Sequence, residues 1–389
     1  MRKSTIIISL LALALNAWGQ MSYVLYQVET NNLSLKALKH DIEADVLDIR
    51  SENTLAGPSL EYSPFFNKGY SGIASSELVV SEEFDFPTKY AARRRQAQLQ
   101  SSLGDSRYAL LRRDVLLRAQ LLYIDIVRSN QVISMLSRRL DGDTEVQRMY
   151  ETRMEAGDAN ILELNKVRLD RIEVQGLVAQ SVNERTEMLR QLQELNGNTP
   201  IEVTDTLFPE IDDIAISALL SDSLSAHDPR ISQSEAAMVV AKGELRISRQ
   251  DWLPDISVGY RRNTEMNESS NGVLVGLSFP LLSTKNRVRA ARQRLQSAAY
   301  QAQMSRDEVV SERNVLIQQF RQLRSVLDHS DLRMMHETLS LLTKALKHGE
   351  ISALQYYTEI NSIYDKLQRH IDLHTQYAKV WAELNKNNL

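Results

Sequence analysis

His370 and His374 lie four residues apart, and on a helix that spacing turns two imidazoles to one side, where they could share a metal ion. The intervening Ile371, Asp372 and Leu373 lack the glutamate of a zinc-protease helix. Met334 and Met335 offer a pair of thioethers, a copper-type arrangement, but Met335 falls on an apolar seam where core packing is the better use. His374 occupies a seam of the same kind. No Gly-x-Ser-x-Gly turn, phosphate-binding loop or dinucleotide fingerprint occurs, and cysteine is absent. These residues predict a protein that is not an enzyme and carries no cofactor, catalytic residue or metal site. Its chemistry must then lie in surfaces, and the elements that build them come next.

Proline and glycine punctuate the chain in the same order twice. Pro58 precedes Phe86-Pro87 and, about 70 residues on, Gly157; Pro254 precedes Phe279-Pro280 and, about 69 residues on, Gly349. A doubled spacing of this kind indicates a duplicated unit. Neither run from proline to glycine contains another proline, and apolar positions at helix period fill both. Each is therefore expected to be one helix of about 100 Å, at about 1.5 Å per residue.

The chain has 389 residues, 43% hydrophobic and 25% charged, with a formal charge of −4 and no basic stripe of the kind nucleic acid requires. Arg2 and Lys3, the apolar Ile6 to Leu15 and the small-x-small site Ala17-Trp18-Gly19 predict a secretory signal over residues 1–19, cleaved before Gln20. Ten apolar residues are too few to span a bilayer as a helix, and no longer apolar run follows. If the chain enters a membrane, it must do so as strands.

Residues 20–199 form the first repeat, 200–227 a linker, and 228–389 the second repeat. A first helix is expected over Asn32 to Leu55, with Leu35, Leu38, Ile42, Val46 and Ile49 on one side. Ser59 to Phe65 and Ile73 to Phe86 are strand candidates. In the second repeat Asp255 to Tyr260 alternates, placing Ile256, Val258 and Tyr260 on one face. Asn263 to Gly272 is expected to be a polar loop. Gly272 to Pro280 alternates again, with Val273, Val275, Leu277 and Phe279 on one face. Seam spacing of 3 and 4 marks the helices, best in the last: Tyr357, Ile360, Tyr364, Leu367, Ile371, His374, Ala378 and Trp381. Four strands cannot close a barrel, and open edges are not tolerated in lipid. Three chains would supply twelve, so a homotrimer is expected.

The strand Val273-Leu274-Val275-Gly276-Leu277-Ser278-Phe279-Pro280, followed by Arg287, Arg289, Ala290, Ala291 and Arg292, resembles the second strand-to-helix junction of the TolC-type outer-membrane efflux channel family. Phe84-Asp85-Phe86-Pro87-Thr88-Lys89, with Ala91, Ala92 and Arg93 to Arg95, is similar to the first such junction. It leans toward the heavy-metal (CzcC-like) branch, where Thr88 stands in place of a glycine. Arg153-Met154-Glu155-Ala156-Gly157-Asp158 and Lys347-His348-Gly349-Glu350-Ile351-Ser352 resemble the family's helix-tip turns.

The resemblance implies a mainly α fold with a membrane β-barrel: twelve strands from three chains in the outer membrane, and a helical coiled-coil tunnel in the periplasm. It implies a passive conduit, partnered by a periplasmic adaptor and an inner-membrane pump. Arg153, Ala156, Gly157, Lys347 and Gly349 are the expected docking tips. Gln355 and Thr358 stand where well-known members carry acidic rings, so Glu359 or Glu163 is left to supply charge at the gate, with Tyr356 and Tyr357 as alternative constrictions. Ile256, Val258, Tyr260, Val273, Val275, Leu277 and Phe279 are expected to face lipid, with Trp252, Phe86 and Phe279 anchoring the interface. Heavy-metal cations are the first expectation for cargo, drugs or secreted proteins the alternative. A periplasmic adaptor and a structural coiled coil are the readings from other classes.

Overall fold

A computed structural model describes residues 19–68, 71–208, 211, 228–265, 268–280 and 284–389. The leader expected over 1–19 lies almost wholly outside them, as does most of the 200–227 linker. Helix α1 covers 19–31 and α2 Leu33–Ser51; strands β1 (Ser59–Phe65) and β2 (Ser75–Phe84) lead into α3 (Pro87–Glu155) and α4 (Ile161–Leu195). The second repeat runs through α5 (Pro229–Ser248), β3 (Asp255–Glu265), β4 (Glu268–Ser278), α6 (Thr284–Asp328), α7 (Leu332–Lys347) and α8 (Ala353–Leu384), and ends on the 3-10 turn Lys386–Asn388.

The helix expected over Asn32 to Leu55 is the single helix α2, and α1, which was not expected, precedes it and is separated from it at Asn32. Its side chain accepts from Leu35 N at 3.0 Å, opening α2, and donates to Leu195 O at 2.8 Å. In α2, Leu35 is buried, while Leu38, Ile42, Val46 and Ile49 are half-buried on the predicted side.

The two long helices differ. Helix α3 is unbroken for 69 residues, opened by Pro87 at a position where no intrahelical donor is needed. Its counterpart, expected to be continuous, is interrupted between α6 and α7. Asp331 caps α7 by accepting from Met334 N at 2.9 Å, and Ser330 Oγ lies 2.8 Å from His370 Nδ1 on α8. Side-chain hydrogen bonds compete here with helix continuation.

The described residues divide into two compact units that cut across the repeats. One unit takes those within Lys36–Leu110 and Ala226–Val309, including all four strands. The sheet is antiparallel in the order β1-β2-β3-β4, so β2 and β3, from different repeats, pair at its centre. Of the polar stretch expected to loop from Asn263 to Gly272, residues 263–265 and 268–272 are instead strand: Arg262 pairs with Asn271, Asn263 with Ser270 and Thr264 with Ser269, while 266–267 lie outside the described residues. Ladder hydrogen bonds run through the backbone, so exposed strand ends need no apolar side chains. Gly259 is required at the centre, where a Cβ would meet Val80 O at 2.6 Å.

The other unit, within Met1–Leu35, Leu111–Ser225 and Val310–Leu389, is helical. Helix α8 packs against α7 and α4. It is joined to α3 by ion pairs of Arg128 with Asp372 at 2.6 Å and Lys379 with Asp125 at 2.7 Å. The seam predicted for α8 is inward: Tyr357, Ile360, Leu367, Ala378 and Trp381 are buried, and Tyr364, Ile371 and His374 half-buried. Residues 200–208 lie along α3 and α4, where Asn130 Nδ2 donates to Val203 O and Asp205 O, and Arg185 donates to Val203 O.

Candidate functional site

Two turns in the helical unit carry the predicted tip residues, and they are built alike. At the end of α3, Gly157 has φ +83, its N–H donates to Met154 O, and Asp158 N donates to Arg153 O at 2.7 Å. At the end of α7, Gly349 has φ +74, its N–H donates to Leu346 O, and Glu350 N donates to Ala345 O at 2.9 Å. Both are the left-handed helix stop in which two further carbonyls are satisfied, a conformation open to glycine without a Cβ penalty. No atom lies within 4 Å of a Cβ added at either glycine, so backbone conformation, not crowding, selects the residue. Ala156, Gly157 and Gly349 are exposed.

Three residues past each glycine the next helix opens on a capping box. Asn160 accepts from Glu163 N at 2.9 Å while Glu163 Oε2 accepts from Asn160 N; Ser352 accepts from Gln355 N while Gln355 Oε1 accepts from Ser352 N at 3.1 Å. Two of the four predicted gate residues, Glu163 and Gln355, are thus equivalent positions whose side chains are held by their own helix starts. The signal was available in sequence as Asn160-x-x-Glu163 and Ser352-x-x-Gln355. Thr358 is exposed and bonds back to Leu354 O at 2.8 Å; Glu359 is exposed.

Tyr356 and Tyr357, considered as constrictions, are 3% and 0% exposed within the core that joins the two turns. There Val146, Tyr150, Leu164 and Val167 of the first helical hairpin meet Leu346, Ala353 and Ile360 of the second. Arg153, half-buried over the Tyr150 ring, donates to Lys347 O at 3.2 Å. Lys347 Nζ lies 3.7 Å from Glu145 Oε2. Both predicted docking cations therefore also tie one tip to the other.

His370 and His374 line a cavity of about 270 Å³ with Arg324, Asp328 and Tyr377. Burial holds both imidazoles below their ordinary pKa. His374 packs edge-on to Phe208 at 5.0 Å and lies parallel to Tyr377 at 6.3 Å, as a seam residue does. Among the described residues no group of three or more His, Cys, Asp or Glu could hold a metal ion.

In the strand-bearing unit the register sorts the sheet into two faces, because directly paired residues point the same way. One face carries Ile256, Val258 and Tyr260 beside Leu277, Val275 and Val273, continued by Phe84, Val80, Leu78, Leu60 and Tyr62, and interrupted by Glu82, which pairs with Val258. Val273 and Val275 are 80% and 72% exposed. The opposite face carries Glu61, Glu77, Ser81, Ser257, Gly259, Arg261 and Gly276, and Arg261 pairs with Glu77 at 2.8 Å. Phe279, predicted on the apolar face, lies beyond the end of β4 and is exposed. Trp252 is exposed just before β3, and Phe86 half-buried just after β2. No helix among the described residues is long and apolar enough to cross a membrane.

Where β2 enters α3, Lys89 is buried with its Nζ 2.8 Å from Asp255 Oδ1 and 3.3 Å from Asp85 Oδ1; Arg93 holds the other oxygen of Asp85 at 2.5 Å. The first repeat's junction is thereby fixed to the first residue of the second repeat's strand.

Residues 220–387 match the family model of outer membrane efflux proteins. The chain is 20% identical over 171 residues to toxin and drug export protein A of Aggregatibacter actinomycetemcomitans, a match that spans 41% of this chain and 37% of that protein. In fold it is similar to the outer membrane protein VceC of Vibrio cholerae (TM-score 0.77, 12% identity, 95% of this chain and 96% of that one). It is similar also to the open state of the MtrE outer membrane channel of Neisseria gonorrhoeae (TM-score 0.76, 14% identity, 95% and 88%). The second repeat thus matches the outer membrane efflux protein model in sequence, and over nearly its whole length the chain shares the fold of these outer membrane channel structures.

Proposed function

We propose that three copies of this chain close a twelve-stranded barrel in the outer membrane and continue as a periplasmic helical tunnel, forming the passive exit duct of a tripartite efflux system. One observation carries this: a four-stranded sheet with an uncovered face that is apolar, except for Glu82, in the rows from Ile256 to Tyr260, an opposite face that is mostly polar, and two edges, β1 and β4, that each have a single neighbour among the described residues. Unpaired edge groups are costly in lipid, and closure with further copies removes them. From Ile256 to Tyr260 the apolar positions of β3 span about 14 Å at about 3.4 Å per residue, and the polar Arg262 follows, so these positions supply part of the roughly 25 Å apolar band of such barrels.

Lipid then meets Ile256, Val258, Tyr260, Val273, Val275 and Leu277, with Phe279 and Trp252 at the interface. The exposed turn residues Ala156, Gly157 and Gly349, with Arg153 and Lys347 beside them, meet the periplasmic adaptor, which in turn meets the inner-membrane pump. Thr358 and Glu359, exposed past the second turn, are the residues left to line the entrance; Glu163 and Gln355 act there through their caps. Two helical hairpins in one chain fit a duct better than an adaptor, which carries one.

The heavy-metal expectation rested on Phe86-Pro87-Thr88-Lys89, and Lys89 is engaged in an ion pair with Asp255 that has a structural use. A toxin or drug is favoured instead by the relative whose name describes such export. Membrane fractionation followed by gel electrophoresis without boiling tests the assembly. A detergent-extracted species of three protomer masses is expected; a soluble monomer would overturn the proposal. Drug and metal susceptibilities of a disruption strain, measured side by side, test the cargo.

A further inference from the structure

Behind the two turns, the helical hairpins share a buried polar cluster that neither docking nor lipid contact uses. Asp143 and Asp170 are each 1% exposed, and Arg139 is 8% exposed. Arg139 Nε lies 3.7 Å from Asp143 Oδ2 on α3, while the guanidinium donates to Asn361 Oδ1 and covers the Tyr364 ring at 4.8 Å, both on α8. Asn361 Nδ2 donates to Asp170 Oδ1 on α4 at 3.4 Å, and Lys166 Nζ reaches Asp170 Oδ2 at 2.7 Å. The two arms of the first hairpin are thus connected through the second.

Asp143 is the weak member. Its ion pair with Arg139 is long, and its Oδ2, Arg139 Nε and the adjacent Tyr357 hydroxyl are buried without hydrogen-bond partners. The groups that bear on it are Arg139 from its own helix, Asp170 from α4, and Tyr356, Tyr357 and Tyr364 from α8; α7 contributes the neutral Thr343, beside Tyr356. Burial pushes the Asp143 carboxyl up to about 6, against the pull of Arg139 and of the adjacent Tyr357 hydroxyl, with the Asp170 charge adding to the rise. An ionised carboxylate is costly in such a site, and a protonated one much less so.

We propose that Asp143 is a proton-binding position: its protonation holds the two hairpins together behind the tips, and its ionisation favours their separation. The sign follows from linkage. The joined arrangement binds the proton more tightly than one in which Asp143 reaches water, so protons favour the joined arrangement. The effect is complete below the solvated value of 3.8 and is lost as pH rises through about 6. Within that window the ratio of joined to separated hairpins changes by up to about tenfold per pH unit. On the channel function proposed above, on which this consequence rests, the duct is held shut in acid and released toward neutral pH.

The test compares wild type with the isosteric Asp143→Asn in the detergent-extracted oligomer. Amide exchange in the segment Tyr357–Asn361, corrected for chemical exchange, is measured at about pH 5 and about pH 7.5. Protection that falls several-fold with rising pH in wild type and stays constant in D143N is expected. Infrared difference spectra should show a protonated-carboxyl band titrating near pH 6 that D143N lacks. Equal pH responses in the two proteins, or no such band, would overturn the proposal. Planar-bilayer conductance of the same samples separates the two ideas: exchange and infrared differences without any conductance would remove the channel function and leave the proton site standing.

Discussion

Arg153 on α3 donates a hydrogen bond to the backbone carbonyl of Lys347 at the end of α7, joining the two helix tips at 3.2 Å across the duplication. The donor is charged and the acceptor is one of the carbonyls a helix end leaves free, so the bond uses no group needed elsewhere. Arg153→Ala is expected to loosen the tips by about 1 kcal/mol and to raise passive uptake of a bulky antibiotic in intact cells. Arg153→Lys should fall between, since a point charge reaches the carbonyl with less directional preference. Uptake unchanged in R153A would mean that the contact does not hold the entrance.

Gly157 and Gly349 hold left-handed backbone in open surroundings, which separates conformation from crowding. Alanine at either should cost about 1 kcal/mol through backbone strain, and asparagine less. Thermal unfolding of the purified oligomer measures this. A bulky residue at either position should leave the trimer intact on an unboiled gel while abolishing resistance. Full resistance with a bulky residue in place would argue against docking at the tips.

Glu163 and Gln355 close capping boxes, so each alanine variant should lose about 0.5 to 2 kcal/mol of local stability. Because Gln355 turns its carbonyl back to Ser352 N, Gln355→Ala is expected to leave the cation-to-anion permeability ratio unchanged. Reversal potentials in a salt gradient read that ratio. A clear shift with Q355A would restore this side chain to the lumen.

Lys89 is buried between Asp85 and Asp255, and removing one partner of such a pair strands the other charges. Because Arg93 still holds Asp85 and Asp255 is partly exposed, Lys89→Met should cost about 1 to 3 kcal/mol and diminish the heat-resistant oligomer. Asp255→Asn, which leaves Lys89 its bond to Asp85, should cost less. Oligomer yield across a temperature series distinguishes them; equal, small effects would show the junction to be held by packing alone.

Side-chain periodicity made part of this molecule readable from sequence. Val273, Val275 and Leu277 alternate with Leu274, Gly276 and Ser278, and that period fixes a strand with one apolar face whatever it pairs with. The seam of α8 was equally plain from Tyr357 to Trp381, and Gly157 and Gly349 marked helix stops because only a left-handed residue closes them. These features are local, repeated along the chain, and independent of its partners.

Tertiary structure decided what periodicity does not encode. Between Leu327 and Leu332 the apolar spacing steps by five over Asp328, His329, Ser330 and Asp331, a step a proline-free run does not by itself turn into a stop; the helix breaks there because Asp331 caps a new helix and Ser330 meets His370 from a distant segment. Polar residues 263–265 and 268–272 read as loop, yet ladder pairing across their own hairpin makes them strand. Asp143 could equally have lain on a solvated face of α3; the packing of α8, with Tyr357 beside it, and of α4, with Asp170, leaves it 1% exposed. The sequence by itself determined the repeated elements and their apolar faces, since those depend on each residue and its near neighbours. Which polar groups are buried, which charges are paired and where the long helix stops depended on contacts between residues far apart in the chain.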